Sequence, residues 1–343
     1  MATQRIVAPP ARGSVFLALD VHDGAEDAVR EVLTGVSGLT RAVGFRERDA
    51  DLGCVIGIGS GFWDRLVDGP RPAQLHPFRE LVGPRHTAPS TQCDLLVHIR
   101  SRRTDVCFEL ARLVVGALAD HAEVTDEVHG FTYFDERDLL GFVDGTENPE
   151  GEAAHRAGVI GPEHDEDPLF AGGSYVIVQK YVHDMAAWQA LSTEEQERVI
   201  GRTKLDDVEL DDAVKPANSH VALNDIDGED GAKREIIRYN MPFGTVGTGE
   251  YGTYFIGYAA DADTTEQMLR NMFLGDPPGN TDRILDFSTA LTGGLYFVPS
   301  PDLLDSLDDL PAAGAGGAVD DETDGPGPGP RPAGSLGIGS LRP

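Results

Sequence analysis

Three short stretches of the sequence carry side chains that could do chemistry. The first, LLGFVDGTENPEG, holds Asp144 in an Asp-Gly pair typical of a tight turn, although the polar residues after it make a simple turn an incomplete explanation. The second, AVKPANSHVALND, places His220 at the start of a strand-like run, where it is either a packed residue or a ligand. The third, IIRYNMPFG, places Arg238 and Asn240 on one face of a predicted strand. A guanidinium among Ile and Met side chains needs a partner, because an unpaired one is costly to bury.

The composition excludes several classes of protein. No segment reaches the roughly 18 apolar residues of a membrane helix, and the N-terminus lacks the apolar core of a secretory signal. The three cysteines have no metal-ligand spacing, and an odd count argues against a disulfide framework. The net charge of -30 argues against a nucleic-acid partner, because duplexes are bound mainly through Lys and Arg contacts to phosphate. We therefore expect a cytoplasmic protein with no membrane partner.

Two stretches far apart in the chain resemble each other. SVFLALDVHDGAE begins at Ser14 and SYVIVQKYVHDMAA begins at Ser174, and each runs through an apolar, strand-like segment into Val-His-Asp and then a helical pattern. Short β-branched runs alternate with amphipathic helices in both halves. The sequence therefore predicts an α+β fold of two ferredoxin-like (β-α-β-β-α-β) domains related by internal duplication, with antiparallel sheets and helices packed on one face. The predicted domains are residues 1–145 and 146–305.

The composition changes near residue 306. From there the chain is rich in Gly, Pro and acidic residues and offers almost nothing to bury, which predicts a disordered linker over residues 306–334. The last nine positions, 335–343, then carry Leu336, Ile338 and Leu341 among glycines and serines. These apolar side chains are unexpected at the end of a polar linker.

Taken together, GFVDGTENP, NSHV and RYNMPFG resemble the dye-decolourising peroxidases, a family of haem peroxidases, and in particular their bacterial B-type (P-type) branch. IGRTK, GTYFIGYA and TDRILDFSTALTGGLYFVPS support the resemblance, which covers roughly residues 10–305. The Gly-x-x-Asp-Gly element from Gly141 to Gly145 is intact. The resemblance implies one haem b per chain, held mainly by the second domain, and reduction of hydrogen peroxide while dyes, phenolics or similar reductants are oxidised. It also implies a homo-oligomer, from dimer to hexamer.

The resemblance also implies a role for each residue around the cofactor. His220 would be the proximal ligand of the haem iron. A carboxylate would accept the other N–H of its ring, and the sequence offers Asp282, with Asp286 as the alternative. Arg202 would either pair with a haem propionate or be an ordinary surface residue. Gly145 and Thr146 would contact the cofactor.

On the opposite face of the haem, three residues would act on peroxide. Asp144 would carry a proton between the two peroxide oxygens, and Arg238 would stabilise negative charge on the departing oxygen. Asn240 would help to position peroxide or water beside them. A haem carrier with incidental peroxidase activity is the alternative function, but such a protein would not need Asp144 and Arg238 together.

The C-terminal GSLGIGSLRP resembles the targeting peptide with which cargo enzymes dock inside encapsulin nanocompartments, and dye-decolourising peroxidases are among that cargo. The resemblance implies that Leu336, Ile338 and Leu341 dock in an apolar groove of the shell protein, with several tails of one oligomer binding together. The expected location is the cytoplasm, inside an encapsulin shell. A scaffold protein whose main function resides in the tail is a further alternative.

Overall fold

The computed structural model describes residues 3–228 and 231–313. Twelve strands are found in this part of the chain: β1 (Gly13–Val21), β2 (Gly53–Gly59), β3 (Leu81–Val82), β4 (Thr87–Ala88), β5 (Leu95–Ser101), β6 (Ala122–Phe131), β7 (Ser174–His183), β8 (Ile237–Arg238), β9 (Met241–Thr245), β10 (Glu250–Ala259), β11 (Ser288–Ala290) and β12 (Gly294–Val298). The α-helices are α1 (Glu26–Arg46), α2 (Ser60–Leu66), α3 (Thr104–Leu118), α4 (Gly151–Gly158), α5 (Met185–Gln189), α6 (Thr193–Ile200), α7 (His220–Asn224), α8 (Ala262–Leu274) and α9 (Pro301–Asp305). No helix in the described ranges is both long and apolar enough to cross a membrane.

One antiparallel sheet of ten strands runs through the molecule in the order β6-β1-β5-β2-β12-β7-β10-β8, with β11 beside β7 and β9 beside β10. Counted along the chain, the four strands that the first half contributes to this sheet lie side by side in the order fourth, first, third, second. The second half repeats it, with β12, β7, β10 and then β8. This repeat confirms the predicted α+β fold of two ferredoxin-like units. The two predicted sheets are continuous, because β12 pairs with β2 and sets Tyr296 opposite Gly59.

The largest apolar core lies between the sheet and helices α1, α3 and α8. Side chains at helical spacing, such as Val29, Leu33 and Val36 of α1, are buried against alternate residues of the strands. The opposite face of the sheet carries a second core, to which Phe16 and Tyr258 belong. Because both faces are covered, β1 is apolar at nearly every position instead of alternating.

Two predicted elements differ from the structure. The run that begins at His220 was predicted as a strand, but it forms helix α7, which starts at an N-cap, Ser219, whose hydroxyl accepts from the N–H of Ala222. A short apolar run fits the period of a strand as well as that of a helix, and here the N-cap favours the helix. The single strand predicted over IIRYNMPF is two strands, β8 and β9, interrupted at Tyr239 and Asn240.

The chain stays packed beyond residue 305, where the sequence placed the start of a linker. Leu307 is fully buried in a short 3-10 helix, and the guanidinium of Arg30 donates to the carbonyls of Leu307 at 2.7 Å and Leu310 at 3.1 Å. The carbonyl of Pro311 accepts from the N–H of Asp68. The packed chain therefore extends at least to Pro311, past the predicted start of the linker at Ser306. Residues 335–343, with their three apolar side chains, lie outside the described part of the chain.

Candidate active site

A cavity that opens to solvent lies in the second unit. Its walls come from β7, β10, α7, α8, the loop before α4 and the segment that leads into β8. Most of the residues singled out in the sequence line it together: Asp144, Gly145, Thr146, Arg202, His220, Arg238 and Asn240. Asp282 is absent from the wall and lies behind His220.

His220 is held by a buried carboxylate. Its Nδ1 lies 2.7 Å from Oδ2 of Asp282, whose side chain is fully buried and whose Oδ1 accepts from the N–H of Ile284. The carboxylate keeps a proton on Nδ1, so the lone pair of the neutral ring resides on Nε2. Among the described residues Nε2 has no hydrogen-bond partner, and His220 faces the cavity. The ring is therefore arranged as a nitrogen ligand.

The alternative carboxylate, Asp286, does not reach His220. It accepts from Nε2 of His86 at 3.1 Å and pairs with Arg85 at 2.7 Å. Asp282 precedes the short 3-10 helix Arg283–Asp286 and caps it, whereas Asp286 ends it and points to another part of the molecule. The structure therefore brings the first of the two sequence candidates to the imidazole.

Asp144 lies on the cavity wall, in the loop before α4. Its Oδ1 accepts from Nδ2 of Asn240 at 3.3 Å, and Oδ1 of Asn240 accepts from the N–H of Ile256 in β10. The amide of Asn240 therefore links the carboxylate to the sheet. Gly141 and Gly145 flank Asp144 with φ of 93° and 89°, a conformation that other residues adopt at a cost.

Arg238 is a cation of the wall whose guanidinium has no ionic partner in the described part of the chain. Its guanidinium makes no ion pair or side-chain hydrogen bond with residues 3–228 or 231–313, although its side chain lines the cavity. Its backbone is fixed: the N–H donates to Oδ1 of Asn148 at 2.9 Å, and the carbonyl accepts from Nδ2 of the same amide at 2.7 Å. A positive group with no internal partner is available to an anion or a polar ligand in the cavity.

Arg202 occupies the rim. Nη1 pairs with Glu147 at 2.5 Å, Nε pairs with Asp207 at 2.8 Å, and the hydroxyl of Thr146 also donates to Asp207. Two carboxylates therefore already hold the guanidinium in place, and its pairing with a propionate stays a prediction. Gly145 faces the same cavity.

Two titratable residues of the wall were not found from the sequence. Burial raises the pKa of Asp138 to about 7, the charge of Asp144 adds to this shift, and Oδ1 of Asp138 accepts from the N–H of Phe142. Burial lowers the pKa of His183 to about 4, and its two nitrogens meet hydroxyls at 2.8 and 3.0 Å. Val-His-Asp marked His183 only as part of a repeat, and nothing near Asp138 indicated its burial.

Comparison with known proteins decides the family. The model of the Dyp-type peroxidase N-terminal region matches residues 3–132, and that of the C-terminal region matches residues 135–303. The chain belongs to the Dyp-type peroxidases. It is 60% identical over 339 residues to a dye-decolorizing peroxidase of Mycolicibacterium paratuberculosis, a match that covers 99% of this chain and 92% of the relative.

Two solved Dyp-type structures are also similar. The encapsulated DyP-type peroxidase from Mycobacterium smegmatis matches with a TM-score of 0.87 and 59% identity, over 91% of this chain and 99% of that one. A variant of Rhodococcus jostii RHA1 DypB in complex with haem matches with a TM-score of 0.86 and 59% identity, over 89% and 98%. The Dyp-type fold therefore extends over nearly the whole described chain.

The raised pKa of Asp138 predicts a pH-dependent stability. The carboxyl of Asp138 is protonated in the folded chain up to about pH 7, whereas in the unfolded chain it ionises from about pH 4, so the folded state loses stability as the pH rises between these values. Asp138→Asn keeps the acceptor for Phe142 but cannot ionise. We expect the free energy of unfolding of the variant, relative to that of the parent protein, to rise by at least about 1 kcal/mol between pH 4 and pH 7, since one pKa unit corresponds to about 1.4 kcal/mol.

Chemical unfolding across this pH range, with and without haem, measures the difference in the free energy of unfolding between parent and variant. Titrating groups that do not interact with Asp138 contribute to both proteins alike. Parallel stability curves would show that Asp138 is not held in its protonated form.

Proposed function

We propose that the protein is a haem peroxidase that reduces hydrogen peroxide to water with electrons taken from a reducing substrate. One observation carries the proposal: a carboxylate-bound imidazole faces the same cavity as a guanidinium and a carboxylate, and within the described residues neither its Nε2 nor the guanidinium has a partner. A nitrogen ligand on one side and acid–base groups on the other are what peroxide cleavage at a haem requires. Family membership supports the same activity.

The cavity fits a haem. The ring of a haem is flat and apolar, and the lining includes many apolar side chains: Leu140, Phe142, Val143, Ile200, Val221, Ile236, Phe255, Met268, Leu269, Met272 and Ile284. Its propionates are carboxylates, and the wall carries several cations: Arg202, Lys233, Arg234 and Arg238. A similar structure contains haem. Haem b, one per chain, is therefore the proposed cofactor.

On the proximal side, the chain holds the ligand in one orientation. His220 would bind the iron through Nε2, while Asp282 accepts the Nδ1–H and makes the imidazole more electron-rich. When bound, haem supplies an iron that accepts the peroxide and stores its oxidising equivalents. The complete burial of Asp282 strengthens its hydrogen bond, because the local dielectric constant is low.

On the distal side, Asp144 would take the proton from one peroxide oxygen and return it to the other, which leaves as water. Asn240 fixes the rotamer of that carboxylate by donating to Oδ1, which leaves the second oxygen free for the proton. The positive charge of Arg238 would stabilise the negative charge that develops as the O–O bond breaks. Two electrons and two protons per peroxide then yield two waters, the electrons coming from dyes, phenolics or similar reductants.

The distal residues also separate the enzyme from a haem carrier. A carrier needs His220 and the apolar walls, but it gains nothing from a guanidinium without an internal partner, which is costly to keep partly buried. Arg238 has no such partner in the described chain and lies beside the Asp144–Asn240 pair. This placement favours peroxide chemistry over carriage.

We also propose that the enzyme is the cargo of an encapsulin shell in the cytoplasm and assembles as a homo-oligomer. The ending with Leu336, Ile338 and Leu341 resembles a cargo peptide, and the similar peroxidase from Mycobacterium smegmatis is an encapsulated one. Short peptides bind weakly because their ordering costs entropy. Several tails on one oligomer would raise the affinity through effective concentration.

Substitutions on the proximal and distal sides of the cavity should impair different properties, haem affinity on the first and the rate of the peroxide reaction on the second. His220→Ala should lower haem affinity more than about tenfold, because the iron loses its protein ligand. Asp144→Asn and Arg238→Leu should retain the haem but slow the reaction with peroxide about 100-fold or more, because proton transfer or charge stabilisation is lost. Haem content from absorbance and stopped-flow rates with peroxide measure the two effects. Normal haem binding and full turnover in His220→Ala would refute the assignment.

Removing the tail should abolish packaging without changing catalysis. A chain that ends before Ser335 keeps the cavity, so its peroxidase turnover should equal that of the full chain. When each is co-expressed with the shell protein, only the full chain should co-purify with intact shells. Leu336→Asp keeps the full length of the tail but places a charge at an apolar position, so it should also fail to co-purify if the apolar side chains, and not the length, are recognised. Equal packaging of all three proteins would reject the tail as the address, and loss of turnover on truncation would favour a tail-centred function.

A further inference from the structure

The sheet ends at β8, a strand of only two residues. Its single neighbour is β10, which pairs Gly257 with Arg238 and Tyr258 with Ile237. An edge strand presents backbone N–H and C=O groups that no neighbouring strand can satisfy. At Arg238 these two groups are not left open, because Asn148 binds both.

The side-chain amide of Asn148 pairs with the backbone N–H and C=O of Arg238, which a further strand would otherwise bind. Oδ1 accepts from the N–H of Arg238 at 2.9 Å and Nδ2 donates to its carbonyl at 2.7 Å. The two bonds fix the orientation of the amide, since the reversed amide would place donor against donor and acceptor against acceptor. The loop also holds Asn148 by its backbone, since its N–H donates to the carbonyl of Gly145.

We propose that Asn148 is a positioning residue that sets the guanidinium of Arg238 at its working distance from Asp144, an inference that rests on the proposed peroxidase function. Asp144 and Asn148 belong to the same loop, so the amide ties the carboxylate-bearing loop directly to the backbone of the arginine. No hydrogen bond or ion pair within the described residues holds the guanidinium itself, so the position of its backbone sets where it can lie. Asn240 makes the second tie, from the sheet to Asp144.

Two substitutions of Asn148 can separate the effect of its two hydrogen bonds from that of its shape. Asn148→Ala removes both hydrogen bonds. Asn148→Asp keeps the shape, but when ionised it offers only acceptors, so it can bind the N–H of Arg238 and repels the carbonyl. When protonated, the same side chain donates through its O–H and restores both bonds. The Asp variant should therefore be impaired at neutral pH and recover as the pH falls, whereas the Ala variant should not recover.

The experiment uses the haem-loaded full-length protein and two readouts. Fluoride titration of the haem spectrum reports whether Arg238 is in place to bind an anion, without turnover. The stopped-flow rate with peroxide reports the reaction. At pH 7 we expect both variants to bind fluoride about tenfold more weakly, and to react with peroxide up to about 100-fold more slowly, than the parent, because displacement by about 1 Å is enough for such losses. Arg238→Leu gives the limit of complete loss.

Each variant is compared with the parent at the same pH, which cancels the protonation of fluoride. As the pH falls from 7 to about 4, the ratio for Asn148→Asp should rise, because a carboxyl with the ordinary Asp pKa of about 3.9 becomes protonated in this range. Glu150→Gln, two residues along the same loop and free of side-chain hydrogen bonds in the described chain, tests a change of one charge unit in the opposite direction and should match the parent throughout. Haem content and thermal unfolding establish that each variant is folded.

Parent-like fluoride affinity in Asn148→Ala would overturn the proposal. So would an Asn148→Asp variant that stays as impaired as Asn148→Ala at every pH, because the loss would then not depend on the paired hydrogen bonds. If the parent binds haem and fluoride but does not react with peroxide, the proposed function fails while the fluoride series still tests the role of Asn148.

Discussion

The hydrogen bond between His220 and Asp282 is the interaction on which the chemistry of the cavity depends. It decides which ring nitrogen faces the cavity, and it gives a buried carboxylate the partner without which its burial would be too costly. The pair is positioned by α8 and α7. The N–H of Asp282 donates to the carbonyl of Met272 at the end of α8, and Asn271 of the same helix donates to the carbonyl of Leu223 in α7. Because α8 packs against the sheet, His220 is fixed to the main apolar core.

The part of the cavity wall that carries Asp144 and Arg238 is built differently, from a loop and a sheet edge. A two-residue strand can hold Arg238 in place only if something covers its open side, and the loop that carries Asp144 does so. The two units share this scaffold, and in the described residues the site is built on the second of them. The Val-His-Asp of the first copy leaves His22 exposed, whereas His183 of the second is buried between two hydroxyl groups on the cavity wall. The two copies share strand order and differ in what their loops bring to the sheet.

The sequence predicted the elements whose signals are local. The repeated strand–helix pattern led to the fold, and the string around Asp144 together with His220 and Arg238 led to the site. What it missed depends on contacts made across the chain. A capping serine turned the run after His220 into a helix, and Leu307 stayed packed because Arg30 holds the carbonyls near it. The pairing of Asn148 with the backbone of Arg238 joins residues 90 positions apart, and neither residue type indicates it.

Whether this cavity holds a haem that reacts with peroxide can be read from the Soret absorbance of the purified haem-loaded protein, recorded before and within a second after one equivalent of hydrogen peroxide. We expect a well-defined Soret band that shifts and loses intensity on mixing, then returns when a reducing dye or phenol is added. A protein that takes up no haem, or one whose haem spectrum does not change with peroxide, would contradict this expectation.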